Sequence, residues 1–213
     1  MTVIPHIFHQ FWTGPPMPDA YRRFAEGWQE KHPGWEVILW GEEHELPALR
    51  NQELYDRAKE LCPNHVGQLR SDIVRLELLE LFGGVWIDVD FRCQKCIEPL
   101  LDSVQCFVAW VTDEWLNNAI MGSVPGHPFI GRLIDGMAKS IAERPGQPPR
   151  RVSGPQYLTR VWRRQPDATV KLFDRGLFYP YRWDELDREG EDFPDAYAVH
   201  VWNNQRREHG RTL

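Results

Sequence analysis

Apolar and polar residues alternate through VIPHIFHQFW near the N-terminus, the two-residue period of a half-buried strand, and GPPMP at 14–18 supplies the turn chemistry that ends it. YRRFAEGWQEKH spaces its apolar residues for a helix and WEVILW reads as a second strand, so the opening is βαβ-like. QELYDRAKEL is helical in pattern and stops near Pro63. From Ser71 the helical period strengthens: SDIVRLELLELF sets Ile73, Leu76, Leu79 and Phe82 on one face, with Ser71 as N-cap and Asp72 in the first turn. Gly83 and Gly84 break that helix. The VWID that follows is short, apolar and bounded by glycines, as a buried strand is. CFVAWV is a further apolar stretch, NNAIMGSVPGHPF a polar one, and FIGRLIDGMAKSIAE another helix. ERPGQPPRRVSGP at 143–155 is rich in Pro, Gly and Arg and predicts a long loop of the kind that covers an active site. DAYAVHVWNNQ closes the pattern as a strand carrying a histidine.

A chain of 213 residues can bury one sizeable core, which predicts a single domain over 1–213. The formal net charge of −6 and the lack of a dense Lys/Arg run exclude a nucleic-acid footprint of the usual kind; RRV at 150–152 and RVWRRQ at 160–165 are small local patches. No stretch approaches the roughly 18 uncharged apolar residues of a membrane span, and MTVIPHIFHQ lacks a signal-peptide pattern. The expectation is a soluble, cytoplasmic protein with no transmembrane segment, peripheral membrane contact being left open. Four cysteines are too few for a disulfide scaffold, and the Cys93/Cys96 pair has no second ligand pair at zinc spacing. Ten tryptophans are unusual, since indoles stack on bases and sugar faces as readily as they fill cores.

The chemistry concentrates in GGVWIDVDFR at 83–92. Side chains alternate faces along a strand, so Asp88 and Asp90 are expected to point the same way with Val89 opposite, and two such carboxylates raise each other's pKa unless a positive charge lies between them. A divalent cation answers this: carboxylate oxygens suit Mg²⁺ or Mn²⁺, which take their remaining ligands from substrate phosphates and water. By itself the pair equally fits a solvated strand end. Asp72 and Arg75, three apart on a helix, fit a solvated ion pair or a joint grip on sugar hydroxyls.

SDIVRLELLELFGGVWIDVDF resembles the signature of the DXD-containing sugar transferases of glycosyltransferase family 32, and is similar to the core of the glucosyltransferase domains of large clostridial toxins. The likeness extends to IPHIFHQFW, NNAIMGSVPGHP, SGP at 153–155 and HVW at 200–202, so it spans nearly the whole chain. It implies a GT-A-like α/β fold with a mixed central sheet flanked by helices. It also implies a retaining, metal-dependent transfer of a hexose from a UDP- or GDP-linked donor to a glycan, lipid-linked or protein acceptor. Carried onto this chain, it gives Asp72 and Arg75 the donor sugar, and Asp88, Asp90 and His200 the Mn²⁺ or Mg²⁺, with Asp88 also near the ribose. It further implies that Trp202 donates its N–H to the departing phosphate and that Trp12 stacks on the donor base. Asn118 and His127 would approach the sugar or the acceptor, although an Asn and a His in a loop commonly serve as turn and capping residues. Trp86 and Val89 depart from the usual GGxYxDxD. Two competing classes are a DxD aspartyl phosphatase, disfavoured by the mid-chain motif followed by Phe91 and Arg92, and a nucleotide-sugar binding module without turnover.

Overall fold

The computed structural model describes residues 3–203. The chain begins with β1 (Ile7–Phe11), α1 (Asp19–Lys31) and β2 (Glu36–Trp40), the βαβ opening that the alternation predicts. QELYDRAKEL divides into two short helices, α2 (Gln52–Asp56) and α3 (Ala58–Leu61). Then come α4 (Val66–Phe82), β3 (Gly84–Ile87), β4 (Phe91–Cys93), β5 (Cys106–Trp110) and β6 (Leu116–Ser123). The rest is α5 (Pro128–Ala142), α6 (Pro149–Val152), α7 (Pro155–Arg164), β7 (Val170–Phe173) and β8 (Ala198–His200).

Six strands form one mixed sheet in the order β2-β1-β3-β6-β5-β7, in which β6 runs antiparallel to both its neighbours. β4 and β8 form a separate antiparallel pair. Side chains alternate across the central strands, so each strand feeds two cores. Trp86, Val108 and Met121 join the core under α4 and α5, while Val85, Phe107 and Ile120 join an aromatic core under α1 that holds Phe8, Trp28 and Phe91. Each such side chain, fully withdrawn from water, contributes about 1.5–3 kcal/mol.

Three expectations are corrected. α4 starts at Val66, five residues before Ser71, because Leu69 extends its buried stripe and nothing in GQLR breaks a helix. Ser71 is therefore no cap, and Asp72 has no first-turn dipole to help it. NNAIMGS is a fully buried strand; Asn118 donates to Asp72 and Asn117 accepts from the Ala119 N–H of its own strand, which local polarity does not reveal. Residues 143–155 are not an open loop, since Pro149–Val152 wind into α6 and Gly154 N–H donates to Pro149 O at 2.8 Å. α7 and β7 complete the fold in a stretch whose periodicity predicted no element.

The double glycine is required where it stands. Gly84 has φ +88°, and a Cβ there would lie 2.6 Å from Ile7 O. Gly83, at φ +65°, would bring one to 2.6 Å from Pro125. Only this pair lets the chain leave α4 and enter the centre of the sheet beside β1. Among the described residues, no helix is long and apolar enough to cross a membrane.

Candidate active site

Strand β3 ends at Ile87, and Asp88 to Asp90 form a turn closed by Phe91 N–H to Asp88 O at 3.1 Å. The two aspartates thus do not share a strand face, as the motif alone suggests; the turn brings them together at the sheet's carboxyl edge. Asp88 N–H is anchored on Ala119 O of β6 at 2.8 Å. Its Oδ1 accepts from Trp86 Nε1 at 2.7 Å and from Arg75 Nη2 at 3.1 Å. Asp90 faces β8: its Oδ1 lies 3.0 Å from His200 Nε2, and its Oδ2 accepts from the Asn203 amide at 3.0 Å. The β4–β8 pairing places His200 opposite Phe91, directly after the turn.

One donor atom from each of Asp88, Asp90 and His200 lies within 4.8 Å of the others. Burial and the neighbouring Asp90 push the Asp88 carboxyl up despite Arg75. Burial acts the same way on Asp90, but His200 and the Asn203 amide overcome it and hold that carboxyl low. Two carboxylates and an imidazole suit Mn²⁺ or Mg²⁺. His200 also has Nδ1 buried without a protein partner, so protein contacts alone do not satisfy the ring. The donor set fits a divalent ion.

Asp72 and Arg75 are not a solvated pair. Both are buried on a helix that is buried almost all round. Asp72 accepts from Asn118 Nδ2 at 2.8 Å and Ser153 Oγ at 2.7 Å, with Arg75 Nη2 at 3.4 Å. Burial raises its carboxyl above the usual range, opposed by Arg75 and these two hydrogen bonds. Arg75 donates to Asn118 O, to Ser71 Oγ at 3.1 Å and to Asp88, and its guanidinium lies 4.9 Å from the centre of the Trp86 ring. One guanidinium therefore ties the Asp72 pocket to the Asp88 turn. Asn118 belongs to the same network through both its amide and its carbonyl.

Trp202 sits elsewhere than its expected role requires. It lies past β8 at φ +53°, off the strand face of His200, and its indole N–H donates to Tyr181 O at 3.1 Å. With that N–H engaged, the ring packs edge-on against His200 at 4.1 Å and holds the imidazole in place. Trp12 is half-buried with Phe24 and Val89 against Met17, Tyr21 and Leu39. Its ring thus packs on the same small cluster as the middle residue of the DxD turn, and its N–H is taken by Pro15 O at 2.5 Å. His127 caps α5, accepting from Phe129 N–H at 3.2 Å, and its Nε2 meets Thr169 Oγ1 at 3.0 Å. None of these contacts ties it to the aspartates. Cys93 is a buried free thiol pushed up to about 12 by burial, which makes it a poor thiolate.

Several residues of the site carried no signal of their own. Ser153 stood in the SGP motif without a role, and Ser71 was read as a cap. Asn203 acts through its backbone. Tyr179, fully buried, accepts from Ile120 N–H at 3.3 Å, and its ring packs against Phe91, His200 and Trp202. Burial, then the charges of Asp88 and Asp90, keep its hydroxyl protonated.

Residues 18–107 match the family described as "Glycosyltransferase sugar-binding region containing DXD motif". Inositol phosphoceramide mannosyltransferase 2 of Schizosaccharomyces pombe is 32% identical over 203 residues, 93% of this chain and 51% of the relative. Mannosyl phosphorylinositol ceramide synthase SUR1 of Saccharomyces cerevisiae is 27% identical over 168 residues, 76% of this chain and 42% of the relative. The chain spans about half the length of these curated relatives. Among solved structures, the PaToxG glycosyltransferase superposes with a TM-score of 0.63 at 17% identity, covering 77% of this chain and 70% of that one. The UDP-bound glycosyltransferase domain of the YGT toxin gives 0.54 at 12% identity, covering 81% and 80%. The fold is GT-A, and residues 18–107 match the sugar-binding region of the DXD-containing glycosyltransferases.

Proposed function

We propose that this chain is the catalytic domain of a retaining glycosyltransferase that moves a hexose from a UDP- or GDP-linked donor to an acceptor hydroxyl. The observation that carries this is the single buried guanidinium of Arg75, shared between Asp72 and the DxD residue Asp88. It fixes a pocket able to grip a polyhydroxylated ring at a set distance from a site for a diphosphate.

Asp88, Asp90 and His200 would hold Mn²⁺ or Mg²⁺, whose charge would neutralise the diphosphate as it leaves. Asp72 accepts from sugar hydroxyls while Arg75 donates to them, and Asn118 and Ser153 keep the Asp72 carboxylate aimed. Trp12 offers the base a face beside the turn. Trp202 acts on His200 by packing. A covalent sugar ester would need a free carboxylate beneath the anomeric carbon; Asp72, Asp88 and Asp90 are each engaged, which favours front-face substitution with retention. The relatives' names include mannosyl transfer to inositol phosphoceramide, which supports a hexose donor and leaves the acceptor among glycans, lipid-linked sugars and proteins. Four free cysteines suit a cytoplasmic setting.

The test is hydrolysis and transfer of a panel of nucleotide sugars with Mn²⁺, against the same reactions in excess EDTA and with Asp90→Asn. Turnover should vanish in both. Full turnover in EDTA would remove the ion from the reading, and no turnover of any donor by the folded wild type would favour a binding module.

A further inference from the structure

Two arginine patches separated in the sequence meet in the fold. Residues 143–164 contain six arginines, Arg144, Arg150, Arg151, Arg160, Arg163 and Arg164, against one acid, Glu143, in a chain of net charge −6. α6 carries Arg150 and Arg151, and α7 carries Arg160, Arg163 and Arg164. Arg160 joins the two helices, donating to Arg151 O at 2.7 Å and to Ser140 Oγ of α5 at 3.3 Å. Arg144 and Arg164 lie near enough to depress the Arg160 guanidinium after burial has done so. Among the described residues, no carboxylate pairs with Arg150, Arg151, Arg160, Arg163 or Arg164. Glu143 pairs with Arg144 at 3.2 Å, and the remaining like charges, gathered here with so little compensation, are unfavourable for the isolated protein.

The arginines spread over a face and do not converge on one pocket, which suits many phosphates in a plane better than a single phosphate group. Beside them lies a cavity of about 220 Å³ walled largely by Leu61, Ile141, Ala142, Pro145 and Val152, with Arg144 and Glu60 in the same lining. Apolar walls next to guanidinium groups match a phospholipid and have nothing to offer a nucleic acid. The Trp115 ring, which might have stacked on a base, already has Arg163 over it at 5.8 Å. The face is also next to the site: Ser153, at the end of α6, holds Asp72, and a Cβ on Gly154 would lie 3.2 Å from Arg150 Cα and 3.1 Å from Asp72 Oδ2.

We propose that the face formed by α6, α7 and the end of α5 docks the protein on a bilayer bearing anionic phospholipids, bringing the Asp72 pocket to the membrane surface. This goes beyond the assignment of a glycosyltransferase and does not depend on turnover.

The experiment is co-sedimentation of the full chain with vesicles of phosphatidylcholine alone and of phosphatidylcholine mixed with phosphatidylserine. It is run for wild type and for R150A/R151A/R164A, three exposed positions outside the donor site. Wild type should bind the mixed vesicles and leave the neutral ones, and should be released at about 1 M salt, where the screening length falls to about 3 Å. At about tenfold or less per arginine, the triple variant should lose roughly 100-fold in partitioning with an unchanged unfolding temperature. Equal binding to both vesicles, undiminished binding by the folded triple variant, or displacement of wild type from vesicles by single-stranded RNA would overturn the proposal. Binding is read without donor or metal, so a failed transfer assay and a failed docking assay are distinguishable.

Discussion

Replacing Arg75 by Met removes the guanidinium between the buried Asp72 and the partly buried Asp88 carboxylates while keeping most of the side-chain volume. The wild-type guanidinium serves Asp88 Oδ1, Ser71 Oγ and the Asn118 carbonyl, and Asp72 lies 3.4 Å away. Breaking a buried ion pair from one side costs about 3–5 kcal/mol, because the remaining charge is left without its partner in a poorly solvated place. For a chain of this size each kcal/mol lowers the melting temperature by about 2 °C, so Arg75→Met should melt roughly 6–10 °C below wild type. Arg75→Lys keeps the charge but loses the planar fork, and should recover part of that loss. A double cycle with Asp72→Asn tests the source of the effect: the second substitution should cost less in the Arg75→Met background than in wild type, since there it removes a carboxylate already left without its partner. Differential scanning fluorimetry and urea unfolding both read this. An Arg75→Met variant within about 1 kcal/mol of wild type, or strict additivity with Asp72→Asn, would show that the guanidinium and the two carboxylates are not coupled.

His9 is buried with Nδ1 accepting from Trp40 Nε1 at 3.1 Å and Nε2 on Gly83 O at 2.9 Å, so the fold selects the neutral ring and lowers its pKa to about 4. The unfolded chain binds the proton first, so stability should fall by about 3 kcal/mol as pH drops from 6.5 to 4; urea midpoints across that range, against His9→Gln, would show it. Ser153→Ala strips one of the two neutral hydrogen bonds from Asp72, for a loss of about 1–3 kcal/mol, and should weaken binding of the full donor while sparing the free nucleoside diphosphate; calorimetry with both ligands separates these, and equal loss would contradict a sugar-side role. Gly84→Ala meets both a positive φ and the Ile7 carbonyl, so it should destabilise by at least about 2 kcal/mol, seen as a lower urea midpoint.

Where one face of an element meets water, the chain announces it: α1 and α5 both show their period. The start of α4 is hard to read because a helix buried through its middle turns has little contrast, and its buried Asp72, Arg75 and Glu77 look like surface residues. The asparagines of β6 read as loop because their amides are answered by Asp72 and by the strand's own Ala119 N–H, partners that only the fold supplies. Asp72, Arg75, Asp88, Asp90 and His200 were legible through motif spacing, and the structure brings all five together. What spacing could not show was the turn that makes the aspartates converge, the left-handed twist that turns Trp202 back onto Tyr181 O, or the arrival of Tyr179. The same holds for the arginines, two minor patches until Arg160 links α6 to α7.

The β4–β8 pairing sets an order of construction. The main sheet is complete once β7 ends at Phe173, whereas Asp90 waits for His200, 110 residues further along the chain. At about 5–20 residues per second of synthesis, the sheet has on the order of seconds to form before that histidine exists. During that interval the nascent chain has a finished scaffold with Asp90 unpaired and the flank of Phe91 uncovered by its partner strand. The last strand therefore works as a latch, and a chain stopped before Ala198 should keep its sheet and never acquire its ion site.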